Sequence, residues 1–508
     1  RCKKKRTHNV TMEPEEDARV HNNSLLGRFC RKYNVLVLSI LMFVLVSLPP
    51  VAYGILMECG RLQNISSPAF YVTIQMIMQP CLIDSENYIS RKYLRKILII
   101  GCLILSLGAI LAGVTGLLFN ERNITFSLFY GPLGGIGAFL ITTILRRILL
   151  NFFGNTHVVN VVQSASMGFS QLLFPLLLAQ IRISFGAQMS ILFLGSILLH
   201  TLPLGILLSR SKLQLSVHNN LVRYQSVVVE DHGMKRWENR MGINNNCEEN
   251  DEFVVKNLTN QGVEIMDTIL EEDEISEKSV VIVHQRKSIK WNRWKACREY
   301  WQECRKISGE LFLNPFRILA GKQKILPGVI LRASSIFVHI LVISGLPCFT
   351  ANNTLHLNSM ESSTILTIMA IPIVVITFSS IWMEDLLEEK GKYWHIVGEI
   401  AKFLGCIVVA TSQSLFFLRL GVLLLGAGEG INIIQERILR KCSCAEFSEE
   451  STWKMGQSYI SAVSGYIVLI FVLCTNHFLF HFDFGTIFLI TGLFYGASIF
   501  TFTLVHYF

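Results

Sequence analysis

The sequence predicts an all-α membrane protein of twelve transmembrane helices, six plus six, around a long cytoplasmic central loop. Three observations predict it. The chain is 51% hydrophobic and only 16% charged, against about 25% charged residues in soluble domains. Twelve apolar stretches each come close to the roughly 20 residues a helix needs to span the hydrocarbon core. They fall into two sets of six, separated by a polar insert at 209–323.

A basic tail at 1–33 comes first. Spans are then predicted near 34–57, 67–87, 97–118, 126–147, 159–181 and 187–208, giving an N-terminal bundle at 34–208. The second set lies near 325–347, 361–383, 395–413, 415–437, 457–475 and 483–506, in a C-terminal bundle at 324–508. Loop charge orients the chain. Arg91, Lys92, Arg95, Lys96, Arg146 and Arg147 sit on one side with the insert, as do Lys390, Lys392, Arg437, Arg440, Lys441 and Lys454. The other side carries only Arg61, Arg122, Arg182 and Arg419. Both termini and the insert are therefore expected in the cytoplasm. The sequons at Asn64, Asn123 and Asn352 all fall in the opposite loops and are expected glycosylation sites.

In the insert, residues 211–290 are polar, with the acidic run Glu271-Glu272-Asp273-Glu274, and are expected to be mostly disordered. At 291–307, Trp291, Trp294, Cys297, Trp301 and Cys304 recur at helical spacing beside Arg293, Lys295, Arg298, Arg305 and Lys306. That stripe predicts an amphipathic helix. It either lies in the lipid headgroups or packs beneath the two bundles.

The net charge of +9 reflects the loops on one side, not a nucleic-acid surface, and no nucleic-acid partner is expected. No phosphate-binding loop or zinc spacing occurs, so no cofactor, metal site or enzymatic activity is expected. The thirteen cysteines read as buried thiols. A bridge between Cys59 and Cys348 and lipidation of Cys442 and Cys444 stay open.

The most specific stretch is 131–210. Gly134, Gly135 and Gly137 stand in span four, where small residues let helices approach closely. Asn151-Phe152-Phe153-Gly154 leads into span five, which holds Asn160, Ala165, Gly168 and Pro175. Phe185-Gly186 marks the turn, Ser190, Leu192, Leu194 and Gly195 follow, and Gly205-Ile206-Leu207-Leu208-Ser209-Arg210 closes span six. This stretch resembles the monocarboxylate transporter family of the major facilitator superfamily. The resemblance implies a plasma-membrane solute carrier that moves a small organic anion, with or without a proton, by alternating access of two halves. Some members of that family also need a single-pass accessory protein.

The departures bear on coupling. Lys32-Tyr33-Asn34-Val35 replaces the family's acidic opening to span one, and Pro50-Val51 stands near its lysine. Asn155-Thr156 replaces a paired arginine, and Ala187-Gln188 a Trp-Arg. No Asp or Arg occurs in 361–380, where proton-coupled members carry both. The basic motif after span two, Arg91 to Lys96, lacks its glycine, while Lys390-Gly391-Lys392 follows span eight. Those basic clusters either brace an inner gate through ion pairs or are solvated loop charges. The losses leave a second reading open, a transporter-shaped receptor or scaffold that does not transport.

A charge at membrane depth costs at least ~2.5–3.5 kcal/mol, so each needs a reason. Arg332 lies ~11 Å into span seven from the inner side, and Glu429 in span ten lies ~13 Å from that side, at 1.5 Å per residue. The resemblance places both spans on the central cavity. Arg332 is therefore expected to face Glu429, with Arg332 holding a carboxylate and Glu429 exchanging a proton. The alternative is a structural link, or an Arg332 that snorkels. His339 lies two turns beyond Arg332, and Asn432 and Glu436 share the face of Glu429. Gln163, Tyr459 and Ser461 are weaker candidates by polarity. Gly426, Gly428 and Gly430 make span ten thin, for close packing or for a moving gate.

Overall fold

The computed structural model describes residues 33–56, 66–80, 91–119, 124–210, 315–317, 324–352, 357–432, 450–478 and 483–507. The N-terminal tail, the insert with its 291–307 stripe, and Asn64, Asn123, Cys59, Glu436, Cys442 and Cys444 lie outside these residues. Asn352 ends a helix, and its side chain also lies outside them.

Each of the twelve predicted spans is helical over its described residues. In chain order they are α1 (Tyr33–Leu56), α2 (Ser66–Ile77) and α3 (Arg91–Phe119). In α4, Ile124–Leu128 passes through a wider π-helical turn, Phe129–Leu133, into Gly134–Phe153. One continuous run, Thr156–Leu199, holds spans five and six. It breaks at Gly186 (φ 78°, ψ 168°), a conformation only glycine adopts easily, into α5 (156–185) and α6 (187–199, continued by Thr201–Arg210). The second set is α7 (Leu326–Asn352), α8 (Ser359–Trp382), α9 (Glu384–Thr411), α10 (Leu415–Ile431), α11 (Glu450–Phe478) and α12 (Phe484–Tyr507).

The helix ends follow from sequence. Gly154 (φ 64°) closes α4, donating its N–H to Leu150 O at 2.8 Å, and Asn155 caps α5 by accepting from His157 N at 2.8 Å. Asn358 and Glu361 form a reciprocal capping box on α8. Pro50 in α1 has no N–H to give Val46 O. The Tyr71 hydroxyl of α2 donates to that carbonyl instead, at 2.6 Å. Tyr130 of α4 likewise donates to Pro49 O at 2.5 Å.

Helix packing repeats after six helices. In the first half α3 packs on α4 and α6, α2 on α4, and α1 on α5. In the second, α9 packs on α10 and α12, α8 on α10, and α7 on α11. The halves meet along α1 and α7, α2 and α11, and α5 and α8, a set that maps onto itself when the halves exchange. Single residues show the same repeat. A Cβ on Gly101 would lie 3.2 Å from Gly137 O, and one on Gly137 would lie 2.5 Å from Leu105 N. In the second half Gly405 meets Gly421 O at 2.8 Å, and Gly421 meets Val409 N at 3.0 Å. Gly205 on α6 and Gly492 on α12 touch Cys102 and Cys406, each at 3.1 Å.

Candidate functional site

A buried polar cluster fills the centre of the second half, between α7, α9, α10 and α12. Gly428 makes it possible. A Cβ there would lie 2.6 Å from Gly398 O and 2.7 Å from Lys402 Cβ, so only glycine lets α10 press on α9 at this level. The next residue, Glu429, then reaches Lys402. The Lys402 ammonium donates to Glu429 Oε2, and at 2.9 Å each to Ser335 O and Ser335 Oγ of α7. Lys402 is 2% exposed, and its Glu429 partner 15%. All three ammonium protons therefore have acceptors, as a buried charge requires.

Asn432, the residue after α10, ties the cluster together. Its amide donates to Ser335 Oγ at 3.0 Å and to Glu429 Oε2 at 3.3 Å. His339 Nδ1 stands 3.5 Å from Glu429 Oε1. Its other ring nitrogen, Nε2, lies 3.4 Å from Nε2 of Gln171, which is on α5 in the opposite half. Gln171 Oε1 is buried and makes no hydrogen bond. A polar path thus runs from α5 across the boundary between the halves to Glu429 and Lys402.

The cluster continues down α9. His395, Glu399, Lys402 and Cys406 recur at four-, three- and four-residue spacing on one buried face. Tyr495 of α12 donates its hydroxyl to Glu399 Oε2, and the Lys402 ammonium lies 6.0 Å from the centre of the Tyr495 ring. His395 Nδ1 is 3.5 Å from Glu399 Oε1 without hydrogen-bond alignment. Both His395 ring nitrogens are buried and neither makes a hydrogen bond.

Three of the predicted residues, Glu429, His339 and Asn432, meet in this one site. Arg332 was the partner expected for Glu429; the carboxylate pairs with Lys402. Matching depth was the basis for the Arg332 expectation. The contact at Gly428 decides instead, because it sets α9 directly beside Glu429. Arg332 is half-buried, one turn before Ser335 on α7, and has an interaction of its own. Lys402, Glu399 and His395 were not singled out from the sequence. His395 and Glu399 sit at the start of span nine, where charges read as headgroup contacts, while Lys402 lies as far into span nine as Arg332 into span seven. Their signal was the one-faced spacing inside an apolar helix.

The predicted glycines all lie at helix contacts. Gly135 abuts Tyr71 O and Gly134 the Tyr71 ring, while Gly137 meets α3. Gly426 presses on the Met369 carbonyl of α8, and Gly430 meets Pro372 O and Ile373 Cα there. Gln163 is half-buried in α5 and Ser461 is buried in α11. Tyr459 is half-buried in α11. At the basic end, the ammonium of Lys392 lies 5.5 Å from the centre of the Tyr507 ring.

The internal repeat supplies a reference for the cluster. Counting from the matched residues Gly101 and Gly405, Gly137 and Gly421, and Gly205 and Gly492, the places of Lys402, Glu429 and Tyr495 are taken in the first half by Leu98, Leu145 and Leu208. All three leucines are buried. The same geometry therefore closes with hydrocarbon alone. Since a buried ion pair is seldom more stabilising than well-packed apolar side chains, the packing of the fold does not require this one.

No family model matches the sequence, and no curated protein matches it. Solved structures do. A mutant form of the nucleoside transporter NupG superposes with a TM-score of 0.56 at 12% identity, covering 94% of this chain and 99% of that one. The xylose transporter XylE from E. coli, in a partially occluded inward-open conformation, gives 0.52 at 14% identity over 92% and 98%. Tetrameric PepTSo2 gives 0.51 at 11% identity over 93% and 96%. The twelve helices of the described residues, six plus six with the principal packing pairs repeated, therefore form a major facilitator fold.

Proposed function

We propose that this protein is a membrane transporter that moves a small organic anion by alternating access of its two halves, with Glu429 as the exchangeable proton site. One observation carries the reading. The second half holds an ion pair where the first half holds leucines, and that pair reaches the boundary between the halves through His339 and Gln171. The likeness to nucleoside and xylose transporters supports the fold's use in transport. The resemblance of 131–210 to monocarboxylate transporters supports the choice of an anion.

The chemistry follows from the pairing. With Glu429 ionised, Lys402 is neutralised and the site has no net attraction for an anion. A proton on Glu429 removes that counter-charge. The ammonium, and His339 beside it, then favour a carboxylate entering from the seam between the halves. Arg332, one turn nearer the basic end than Ser335, is a second cation along that route. This arrangement supplies in α7, α9 and α10 what the absent span-eight charges supply in the resembling family. We place the basic end in the cytoplasm of the plasma membrane, with glycans at Asn64, Asn123 and Asn352. An accessory single-pass protein is part of the same proposal.

Uptake of labelled lactate, pyruvate and acetate into cells, with surface expression measured alongside, tests the reading. Uptake is expected in wild type and lost in Glu429→Gln and Lys402→Met. Wild-type uptake in a well-expressed Glu429→Gln variant would sink the role given to Glu429. No uptake of any probe by a wild-type protein present at the surface would instead favour a receptor or scaffold, a reading the charge-poor α8 supports.

A further inference from the structure

One imidazole joins the ion pair to the seam between the halves, and its two nitrogens face unlike partners. Nδ1 of His339 stands 3.5 Å from Glu429 Oε1. Nε2 faces α5 of the other half, 3.4 Å from Gln171 Nε2. A neutral imidazole carries one proton, so one nitrogen donates and the other accepts. The Lys402 ammonium holds Glu429 ionised, and a carboxylate attracts an N–H at Nδ1 and repels a lone pair there. The proton therefore sits on Nδ1, and Nε2 is the acceptor. The contact with the other half agrees. An amide nitrogen only donates, and the amide nitrogen of Gln171 is the atom that meets Nε2. The amide oxygen, turned the other way, is buried and makes no hydrogen bond. The His339 and Glu429 side chains are 13% and 15% exposed, so the pair is not sealed off.

We propose that His339 is a proton-controlled contact for the substrate carboxylate: its seam-facing nitrogen changes from acceptor to donor when Glu429 is protonated, and Gln171 covers that nitrogen when the site is empty. The identity of the ligand rests on the transport reading; the switch itself does not. A proton arriving at the seam binds Nε2. The Nδ1 proton then passes to Glu429 Oε1, a small turn of the ring closing the gap between them. One N–H bond forms at Nε2, one breaks at Nδ1, and one O–H bond forms on Glu429. His339 begins and ends neutral, Glu429 ends protonated, and Lys402 stays an ammonium without its counter-charge. The cluster gains one positive charge and a donor on the seam side, and both favour a carboxylate. Loss of the proton through Nε2 reverses each step.

Gln171 ties this switch to closure of the seam. With Glu429 ionised, its N–H caps Nε2 and the halves close on each other. With Nε2 protonated, two donors meet. The amide then has to turn over and bury its NH2 where the unbonded oxygen now lies, and an unpaired buried N–H is rarer than an unpaired carbonyl. A carboxylate between the two side chains satisfies both donors instead. The seam thus closes on Gln171, or on a proton together with its anion, and poorly on a proton alone.

Among the described residues, the groups around His339 leave Glu429 as its ionic neighbour. Lys402 stands behind Glu429 on α9, with Glu399 and the Cys406 thiol one turn to either side. Arg332 lies on α7 itself, two turns nearer the basic end, and has an interaction of its own. The other helices packed on α7 bring phenols at depth: Tyr53 on α1, Tyr459 and Tyr466 on α11, and Tyr495 on α12. On α8 no residue from Ser362 to Trp382 is acidic, basic or a thiol.

Nitrogen-15 NMR of the histidine-labelled full chain in lipid vesicles reads the switch without any substrate, with His339→Phe identifying the His339 signals. Wild type is expected to carry its proton on Nδ1 at neutral pH and on Nε2 in acid, neutral in both. In Glu429→Gln, Lys402 holds the amide oxygen, so the amide nitrogen faces Nδ1 and the proton should sit on Nε2 at every pH. Gln171→Leu uncovers Nε2. It should raise the midpoint pH of the switch, by roughly two- to tenfold in proton affinity, the worth of one hydrogen bond. A proton on Nε2 in neutral wild type, an imidazolium in acid, or an Nδ1 proton in Glu429→Gln would each overturn the proposal. Should Glu429→Gln fail to assemble, the two wild-type spectra decide alone. Vesicles that show the switch but take up no lactate, pyruvate or acetate would refute the transport reading and leave the switch standing. Uptake by a wild type that forms the imidazolium would do the reverse.

Discussion

Replacing Lys402 and Glu429 together by leucine gives the second half the residues that the first half holds at Leu98 and Leu145. The single changes are expected to be damaging. Lys402→Leu strands Glu429, 15% exposed, with only Asn432 and His339 as donors. Breaking a buried pair this way costs about 3–5 kcal/mol. Glu429→Leu strands Lys402 with Ser335, but Glu399 stands one turn away to replace the lost carboxylate. Its cost is about 1.5–3 kcal/mol, the range for a hydrogen bond to a charged group. The double variant removes both charges at once and fills the space with side chains the repeat already packs. Its stability should lie between wild type and a gain of about 1–4 kcal/mol, while anion uptake is abolished. Reversible unfolding in mixed lipid and SDS micelles gives the three differences. Losses that simply add, with the double variant worse than either single, would refute the claim that the ion pair is there for function.

Three further outcomes follow from individual contacts. Gly428→Ala puts a methyl group 2.6–2.9 Å from Gly398 O and from the Lys402 Cβ and backbone N. It should cost about 1–3 kcal/mol and lower uptake, whereas Gly116→Ala, whose methyl would meet only the Phe126 ring at 3.8 Å, should be neutral in the same unfolding assay. Gly54→Ala would press on Ile343 O at 2.5 Å and Ser344 O at 2.9 Å, so the α1 and α7 ends opposite the basic end should part, read as faster thiol labelling of a cysteine placed there. Asp483 caps α12, accepting from Thr486 Oγ1 at 2.5 Å and Thr486 N at 3.2 Å, and the Thr486 side chain holds its carboxyl below the ordinary value of 3.8. Because its folded value is depressed, its stabilisation is complete above pH 3.8 and fades as pH falls through the lower folded value. Asp483→Ala should cost about 0.5–2 kcal/mol at neutral pH, and Asp483→Asn should keep most of the cap and lose its acid dependence.

The fold was legible because lipid imposes a simple rule on sequence: about 20 apolar residues per crossing, with turn residues between. Even the Phe185-Gly186 break and the Gly154 cap carried their own marks. The site was half legible. Glu429 stood out because it lies deep in an apolar span among glycines. Lys402 lies as far into span nine as Arg332 into span seven, and was passed over with the charged start of its span. Its burial comes from Gly428 and Gly398, residues on two helices that no local pattern links.

The carbonyls of α1 that accept side-chain hydrogen bonds bear on how the two halves can move. Tyr71 and Tyr130 grip α1 at Val46 and Pro49, and Arg182 of α5 grips it at Ile55 O with a 2.7 Å bond. All three belong to its own half. Against α7, the same stretch of α1 presents the bare backbone of Gly54. Directional bonds resist shear and smooth van der Waals contact does not, so this end of α1 behaves as a bearing: fastened to one housing, free to roll on the other. A mutation that gave the rolling face a hydrogen bond would be expected to slow the cycle without weakening the fold.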